Sequence, residues 1–503
     1  MGSGSARERS YLLKCPNEIL SSILLSCPPA DRFRVSLVNK QLNGVANRFL
    51  YSTVKFRWTA PRTTNAEVTP SLTIFLRSIL GNPQLAAFVQ HLCLDGSLYW
   101  NLRSCGNLPT ISWAGTGSTL DRAVSLVTEL SVPYAQDWVR GLEEGTIDAL
   151  IAFLLTRLPN LRSFATASLF TQEWTLQRAM FHSVVYGQNR VGWLPRFDQL
   201  SDVLADFYRD YNILCDSNTD TLLSFFYLPA IQTLDLCLDN PARFSWPAAT
   251  APDCTTLTSL TLCHVRESAL KEILSSTKQL IKLNWQFLQC DHNLTTENED
   301  DPPLYPPIAD LDVIVDALTP VRDTLKDLTI GADAIKRERV SYDISIEVRG
   351  SLKGLVEFPK VERFEVPLPF LAGQLVPNNR FRISGQIPQN LRTLVLNSDL
   401  RYFAAHIDWA GEWDDGEIAL NLRDWLLYEE FESDTPFMEQ LELGFLEDRG
   451  WGLYCELKRL LDKERVPVKL TVLGEEPEPF DPDYTVLSEP EPEPDPDSDS
   501  DSD

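Results

Sequence analysis

Hydrophobic positions recur through most of the chain in a short pattern, apolar-x-x-apolar-x-apolar, of which LTSLTL and LRTLVL are examples. Side chains alternate along a β-strand, so the last two apolar residues of each copy point to one face. Each copy therefore predicts a short strand with one buried face. Copies begin at Val89, Val127, Ile231, Leu257, Leu280, Leu325, Val361, Leu391 and Met438, and a partial copy begins at Leu161.

Between the copies, apolar residues follow the spacing of helices, as in residues 147–158, 269–280, 311–325 and 453–461, and 170–211 reads as additional helix. Strands that alternate with helices at irregular intervals predict a parallel sheet with helices on one side. We therefore predict an α/β solenoid with a degenerate leucine-rich-repeat-like body over residues 70–474. The alternative is an open α/β domain with one crevice at a switch point. The pattern favours the solenoid because it persists without a phosphate loop or a nucleophile elbow.

Residues 11–57 have a helical pattern instead. Pro16 suits the start of a helix, and Glu18 falls in the first turn, where the helix dipole favours an acid. Apolar residues follow on one helical face, Pro28 and Pro29 end this helix, and two further short helices continue to residue 50. Three helices of this size cannot enclose all of their apolar surface, so part of it should face another protein or domain.

The segments CPNEILSSIL, PPADRFRVSLVNKQLNGVA and RFLYSTVKF resemble the F-box of many fungal proteins. In that family the F-box binds the Skp adaptor of an SCF-type cullin ubiquitin ligase. Cys15, Cys27, Arg32 and Phe33 depart from the family pattern, which usually has Leu at these positions. The resemblance implies an adaptor-binding surface formed by Pro16, Ile19, Leu20, Ile23, Leu24, Leu37, Val38 and Leu42.

The resemblance also implies a function. It makes the chain a substrate-recognition adaptor, non-catalytic in itself, that holds the Skp adaptor through its N-terminal helices and an unknown target protein through its body. The alternative is a repeat scaffold that binds proteins without a ligase, in which the N-terminal helices only cap the body.

Charge is concentrated at the C-terminus. The formal net charge is -26, and residues 475–503 hold 13 of the 71 acidic residues, seven prolines and none of the 45 Lys and Arg residues. This composition predicts a disordered acidic tail, and we also expect residues 1–10 to be disordered. Ser488, Ser498 and Ser500 each have an acid three residues later, which makes them possible phosphorylation sites. So acidic a chain, without a clear basic patch, is not expected to bind nucleic acid.

Candidate chemistry is sparse. The five histidines and ten cysteines show no zinc-type spacing, and Cys263 and His264 are isolated neighbours. We find no catalytic constellation and expect no metal or cofactor, as for a non-enzyme. The sequence has no signal peptide and no apolar run of membrane-spanning length, so we expect no membrane association and a cytoplasmic or nuclear location.

Overall fold

A computed structural model gives the architecture of the protein. It describes residues 15–60, 72–99, 110–113, 115–167, 170, 174–186, 194–205, 219–238, 244–290, 308–335, 346–373, 383–397, 399–400, 415–427, 434–444, 451–464 and 468–472. The predicted disordered segments 1–10 and 475–503 lie outside these residues. The three candidate phosphorylation serines therefore also lie outside them.

The described residues form strands and helices in alternation. The strands are β1 (Thr53–Ala60), β2 (His91–Tyr99), β3 (Ser163–Thr166), β4 (Asp202–Ala205), β5 (Thr233–Cys237), β6 (Ser259–Cys263), β7 (Lys282–Cys290), β8 (Ile308–Asp310), β9 (Asp327–Ile335), β10 (Glu347–Arg349), β11 (Arg363–Pro367), β12 (Thr393–Asn397), β13 (Gln440–Gly444) and β14 (Lys469–Val472). The α-helices are α1 (Asn17–Leu25), α2 (Pro29–Ser36), α3 (Lys40–Leu50), α4 (Leu72–Gly81), α5 (Pro83–Phe88), α6 (Gly117–Glu129), α7 (Ala135–Glu144), α8 (Ile147–Thr156), α9 (Thr175–Tyr186), α10 (Thr219–Leu223), α11 (Glu267–Ser275), α12 (Leu311–Leu318), α13 (Leu368–Ala372), α14 (Asp415–Leu427) and α15 (Trp451–Glu464). Short 3-10 helices cover Ser224–Tyr227, Thr319–Val321 and Lys353–Glu357.

Twelve of these strands form one sheet in which every neighbouring pair is parallel. They follow chain order from β1 to β14, and only β8 and β10 leave it, pairing with each other in a second sheet. The prediction of parallel strands alternating with helices is confirmed. Since the order never reverses among the described strands, they contain no switch point of the kind that opens a crevice in a doubly wound sheet.

One backbone contact repeats from strand to strand and fixes their register. The carbonyl of Ser52 accepts hydrogen bonds from the consecutive N–H groups of Gln90 and His91, and the carbonyl of Gln90 accepts from Arg162 and Ser163. The same double acceptance continues along the sheet as far as the carbonyl of Arg392. The second residue of each of the twelve strands in this sheet is aligned as a result: Val54, Leu92, Phe164, Val203, Leu234, Leu260, Leu283, Leu328, Phe364, Leu394, Leu441 and Leu470.

Burial alternates along the strands, as in the pattern of Thr233–Cys237, where the second and fourth residues are buried. These buried side chains join the apolar faces of the helices in one continuous core, to which Leu234, Leu270 and Ile273 belong. The residues between them line the opposite, more exposed face of the sheet. The body therefore has one helix-covered face and one open face.

Most of the predicted strands are confirmed, and each begins two residues after the start of its sequence copy. The copy at Val127 is wrong, because Val127 lies in α6 and its side chain is buried there with Ala123 one turn earlier. Residues 202–205, which we assigned to additional helix, form β4. Residues 53–57, which we assigned to the N-terminal helical domain, lie in β1 and pair with β2.

Candidate partner-binding surface

Proline residues mark the starts of the first two helices. Pro16 has an extended ψ of 153° and stands directly before Asn17, so the chain turns into α1 after it. Glu18 occupies the first turn, where the free N–H groups of the helix favour an acid. Pro29 is the first residue of α2, which suits a residue without an N–H group.

The third helix begins at a side-chain cap. The Asn39 side-chain oxygen accepts a hydrogen bond of 2.9 Å from the N–H of Leu42. This contact satisfies one of the four N–H groups that a helix leaves unpaired at its start. Asn43 donates to the carbonyl of Ser36 at 3.1 Å and so ties α3 back to the end of α2.

Packing of α1 to α3 divides the apolar stripe of the sequence into two halves. Five side chains form a separate small core with between 0% and 5% exposure: Leu20, Leu24, Leu42, Val45 and Ala46. Ile19 and Ile23 belong to the same helix as Leu20 and Leu24, yet they are 51% and 44% exposed. One helical position is a rotation of about 100°, which is enough to move a side chain from the core to the surface.

The outward half is unusually apolar. Six of the twelve large hydrophobic side chains that are exposed in the described part of the chain lie between residues 19 and 38. Leu37 and Val38, in the turn between α2 and α3, are 69% and 68% exposed. Exposed apolar side chains that are grouped in this way mark interaction sites more often than single ones do. We call Ile19, Ile23, Leu37 and Val38 the apolar surface.

The structure therefore separates the eight residues that we predicted as adaptor-binding. Pro16 and the four residues of the apolar surface are exposed. Leu20, Leu24 and Leu42 are instead buried in the small core, where they hold the three helices together. Their side chains are therefore not accessible to a partner in this arrangement of the helices.

Arg32, a departure from the family pattern, joins two helices. Its Nε donates a 2.8 Å hydrogen bond to the carbonyl of Leu24, and its Nη2 donates a 2.9 Å bond to the carbonyl of Leu25. The guanidinium carbon also lies 5.6 Å from the centre of the Phe49 ring. The last carbonyls of a helix carry a partial negative charge and favour a cation. An arginine here stabilises the end of α1, which the sequence pattern did not reveal.

The other departures keep apolar or local roles. Cys15 packs partly buried against the small core. Cys27 donates its thiol proton to the carbonyl of Ile23 at 3.3 Å, one turn back. Phe33 is 56% exposed and adds to the outward apolar area.

The N-terminal helices are joined directly to the body. β1 starts three residues after α3, and the guanidinium of Arg48 in α3 lies 6.0 Å from the Phe88 ring in α5. The rings of Tyr51 and Phe75 stack at 6.2 Å, and Tyr51 packs against the core of the body. The position of the apolar surface relative to the first strands is therefore set by packing as well as by the chain.

The open face of the sheet carries charge that is largely paired. Near the N-terminal end, the Asp95 carboxylate accepts from Lys55 at 2.9 Å and Arg57 at 3.0 Å. Further along, Arg363 contacts Asp327 at 3.3 Å and donates to Glu365 at 2.8 Å. Burial lowers the pKa of Arg363, but these two carboxylates outweigh it and raise the pKa. Between these groups, β5 and β6 present hydroxyl side chains, two thiols and the carboxylate of Asp235 on this face.

Folding also brings together two residues that the sequence left apart. Cys237 ends β5 and His264 follows β6, and the Cys237 Sγ lies 3.0 Å from the His264 Nδ1. The cysteine and the histidine are 27 positions apart, and only the parallel pairing of β5 with β6 places them side by side. The described residues contain no group of three or more His, Cys, Asp and Glu side chains arranged to hold a metal ion.

In the part of the chain described here, no helix has the length and apolar character needed to cross a membrane.

Comparison with known proteins identifies the N-terminal helices. Residues 12–50 match the family model of the F-box domain, and this segment contains α1, α2 and α3 in full. A search of curated proteins finds no match to the chain. The resemblance to the F-box that was drawn from the sequence is thus confirmed for residues 12–50.

Proposed function

We propose that this protein is the substrate-recognition subunit of an SCF-type cullin ubiquitin ligase. The F-box domain at residues 12–50 carries the proposal, since domains of this family bind the Skp adaptor. In this reading the F-box holds the ligase and the body holds a target protein. The protein would act in the cytoplasm or the nucleus.

The apolar surface is the proposed adaptor-binding site. Its four side chains are between 44% and 69% exposed, although water is an unfavourable environment for all of them. Burying a Leu or Val side chain of this kind contributes roughly 1 to 2 kcal/mol. Pro16 lies beside the start of α1 and is included in the proposed contact. Leu20, Leu24 and Leu42 pack in the small core and hold the helices that carry these residues together.

The body is proposed to be a leucine-rich-repeat-like solenoid of the kind found in fungal F-box proteins. Three features support this: strands in chain order, one aligned apolar position through all twelve strands, and helices on one face. A unit of this type buries its apolar face only against its neighbours. The open face remains for the target, because its side chains are on the whole less buried than those of the core face.

Catalysis in this scheme belongs to other subunits. The adaptor contributes proximity, because a target held near a ubiquitin-charged enzyme reacts as though at high local concentration. The acidic tail would be a regulatory segment, with Ser488, Ser498 and Ser500 as proposed acceptors for acidophilic kinases.

Binding of the full-length protein to a purified Skp adaptor tests the proposal. We expect Ile23→Asp and Leu37→Asp to abolish binding, because each buries a charge in an apolar contact. Val313→Asp is the matched control, since Val313 is 42% exposed on α12 and lies far along the chain from the F-box. Circular dichroism and hydrogen exchange of α1 to α3 confirm that each variant is folded.

Two results would contradict the proposal. One is wild-type protein that does not bind the adaptor. The other is a folded Ile23→Asp or Leu37→Asp variant that binds as tightly as Val313→Asp. A charge at Leu20 or Leu24 would not discriminate, since it would unfold the small core whether or not the adaptor binds there.

A second function has one observation in its favour. The F-box packs on α5 and runs directly into β1, as a cap that protects the end of a sheet would. In a protein-binding scaffold without a ligase, the N-terminal helices would serve only as this cap. Such a scaffold would fail to bind the adaptor and would still lose stability when the F-box is removed.

A further inference from the structure

Two thiols and one imidazole meet where β5 and β6 end. Cys237 and Cys263 are paired in register in adjacent parallel strands. The His264 imidazole lies 3.0 Å from the Cys237 sulfur through its Nδ1 atom. Cys263 donates its thiol proton to the Gln286 side-chain oxygen, 3.6 Å away on β7. All three side chains thus have defined positions.

The backbone of His264 is in a conformation that L-residues rarely adopt. Its φ is +62°, in the left-handed region, and its side chain is only 4% exposed. Such a conformation is unfavourable in a non-glycine residue and is retained where the surroundings require it. Here it turns the chain at the end of β6 with the imidazole next to Cys237.

An imidazole at this distance changes the chemistry of a thiol. The reactive form of cysteine is the thiolate, and a neighbouring histidine that accepts the proton increases its share. Two thiols of the chain that lack this contact serve as a reference. Burial raises the pKa of Cys254 to about 12, and burial also raises the pKa of Cys93 on the same open face. Cys237 is half-buried, so a small oxidant can reach it.

We propose that Cys237 is a peroxide-sensitive thiol that forms a disulfide with Cys263. His264 takes the Cys237 proton, and the thiolate attacks one oxygen of hydrogen peroxide, breaking the O–O bond. This gives a sulfenic acid at Cys237 and hydroxide, which takes up the proton. The Cys263 thiolate then attacks the sulfenic sulfur and releases its oxygen as hydroxide, which becomes water with the Cys263 proton. In sum, two thiols are oxidised and one peroxide is reduced to two waters.

Strand geometry permits this bond. Neighbouring strands lie about 4.8 Å apart, and disulfides span Cα separations of roughly 4.4 to 6.8 Å. Side chains of directly paired residues leave the sheet on the same side. The bridge would tie β5 to β6 on the open face, near the middle of the sheet.

Alkylation of the full-length protein with iodoacetamide tests the activation of Cys237. Peptide mass spectrometry follows each thiol separately. We expect Cys237 to react at least about tenfold faster than Cys93, the effect of one unit in thiol pKa. His264→Asn should remove the difference; asparagine tolerates the left-handed backbone but cannot take the proton. Unchanged rates at Cys93 and Cys254 show that the variant is folded.

Hydrogen peroxide tests the disulfide. The wild-type protein should yield a Cys237–Cys263 crosslinked peptide, and Cys263→Ser should instead leave a sulfenic acid at Cys237 that dimedone traps. The inference is overturned if Cys237 alkylates no faster than Cys93, if His264→Asn has no effect, or if peroxide gives no such crosslink. None of these measurements involves the Skp adaptor, so their outcome is independent of the proposed ligase function.

Discussion

Replacement of Arg32 tests whether an unexpected side chain holds the F-box together. Arg32→Met keeps most of the aliphatic stem and removes the guanidinium, and with it both hydrogen bonds to the end of α1. The bond to the Leu24 carbonyl is part-buried and the bond to the Leu25 carbonyl is exposed, so the first should contribute more. With the contact to the Phe49 ring, we expect a loss of about 2 kcal/mol in the local stability of α1 to α3.

Hydrogen exchange of the full-length protein measures this loss directly. A change of 2 kcal/mol corresponds to an increase of about 30-fold in the exchange rate of protected amides in α1 and α3. Arg34→Met is the control from the same helix. Arg34 pairs with Asp31 at 2.9 Å, but its side chain is 78% exposed, and exposed pairs contribute less than about 0.5 kcal/mol. Equal exchange in the two variants, or greater protection in Arg32→Met, would refute the assigned role of Arg32.

Three further predictions concern the body. Asp148→Ala should lower the free energy of unfolding by about 3 kcal/mol in denaturant titrations, because it leaves two buried N–H groups of α9 without their acceptor; a loss below 1 kcal/mol would contradict this. Gly145→Ala should lower the melting temperature, because a Cβ at this position, where φ is +72°, would lie 2.1 Å from the backbone oxygen of Ile111. Gly117→Ala should leave the melting temperature unchanged, because no atom lies within 4 Å of the added Cβ. Equal changes in the two variants would refute the steric argument. Deletion of residues 1–50 should leave a folded body by circular dichroism, and deletion of 1–57 should not, because it also removes five of the eight residues of β1. Two equally folded products would show that β1 is dispensable.

Much of the body could be predicted from sequence because one pattern repeats with the same physical meaning. Most copies whose last two apolar residues are large are strands; the copy LTSLTL, for example, runs into β6. β4 escaped notice because its last core residue is Ala205, whose small side chain weakens the pattern. The error at Val127 has the opposite cause, since a short apolar run fits a helix with residues one turn apart as well as a strand.

The candidate sites were less accessible to sequence reasoning. The spacing of Ile19, Leu20, Ile23 and Leu24 places them on one broad face of α1, but it does not say which pair faces α3. That choice depends on the angle at which the helices pack, which becomes known only in three dimensions. The contact of Cys237 with His264 likewise depends on strand register over 27 residues, which no local pattern encodes.

The strand order also sets how far each strand lies from the F-box along the sheet. Because β1 is fixed to the F-box and each later strand of the sheet adds one step of about 4.8 Å, the last strand lies about 50 Å from the first when measured along the sheet. In the proposed function, a target bound over β3 and one bound over β13 would therefore present their lysines at very different distances from the ligase. Gain or loss of a single strand unit would move the point of attachment by one such increment, without any change in the F-box itself.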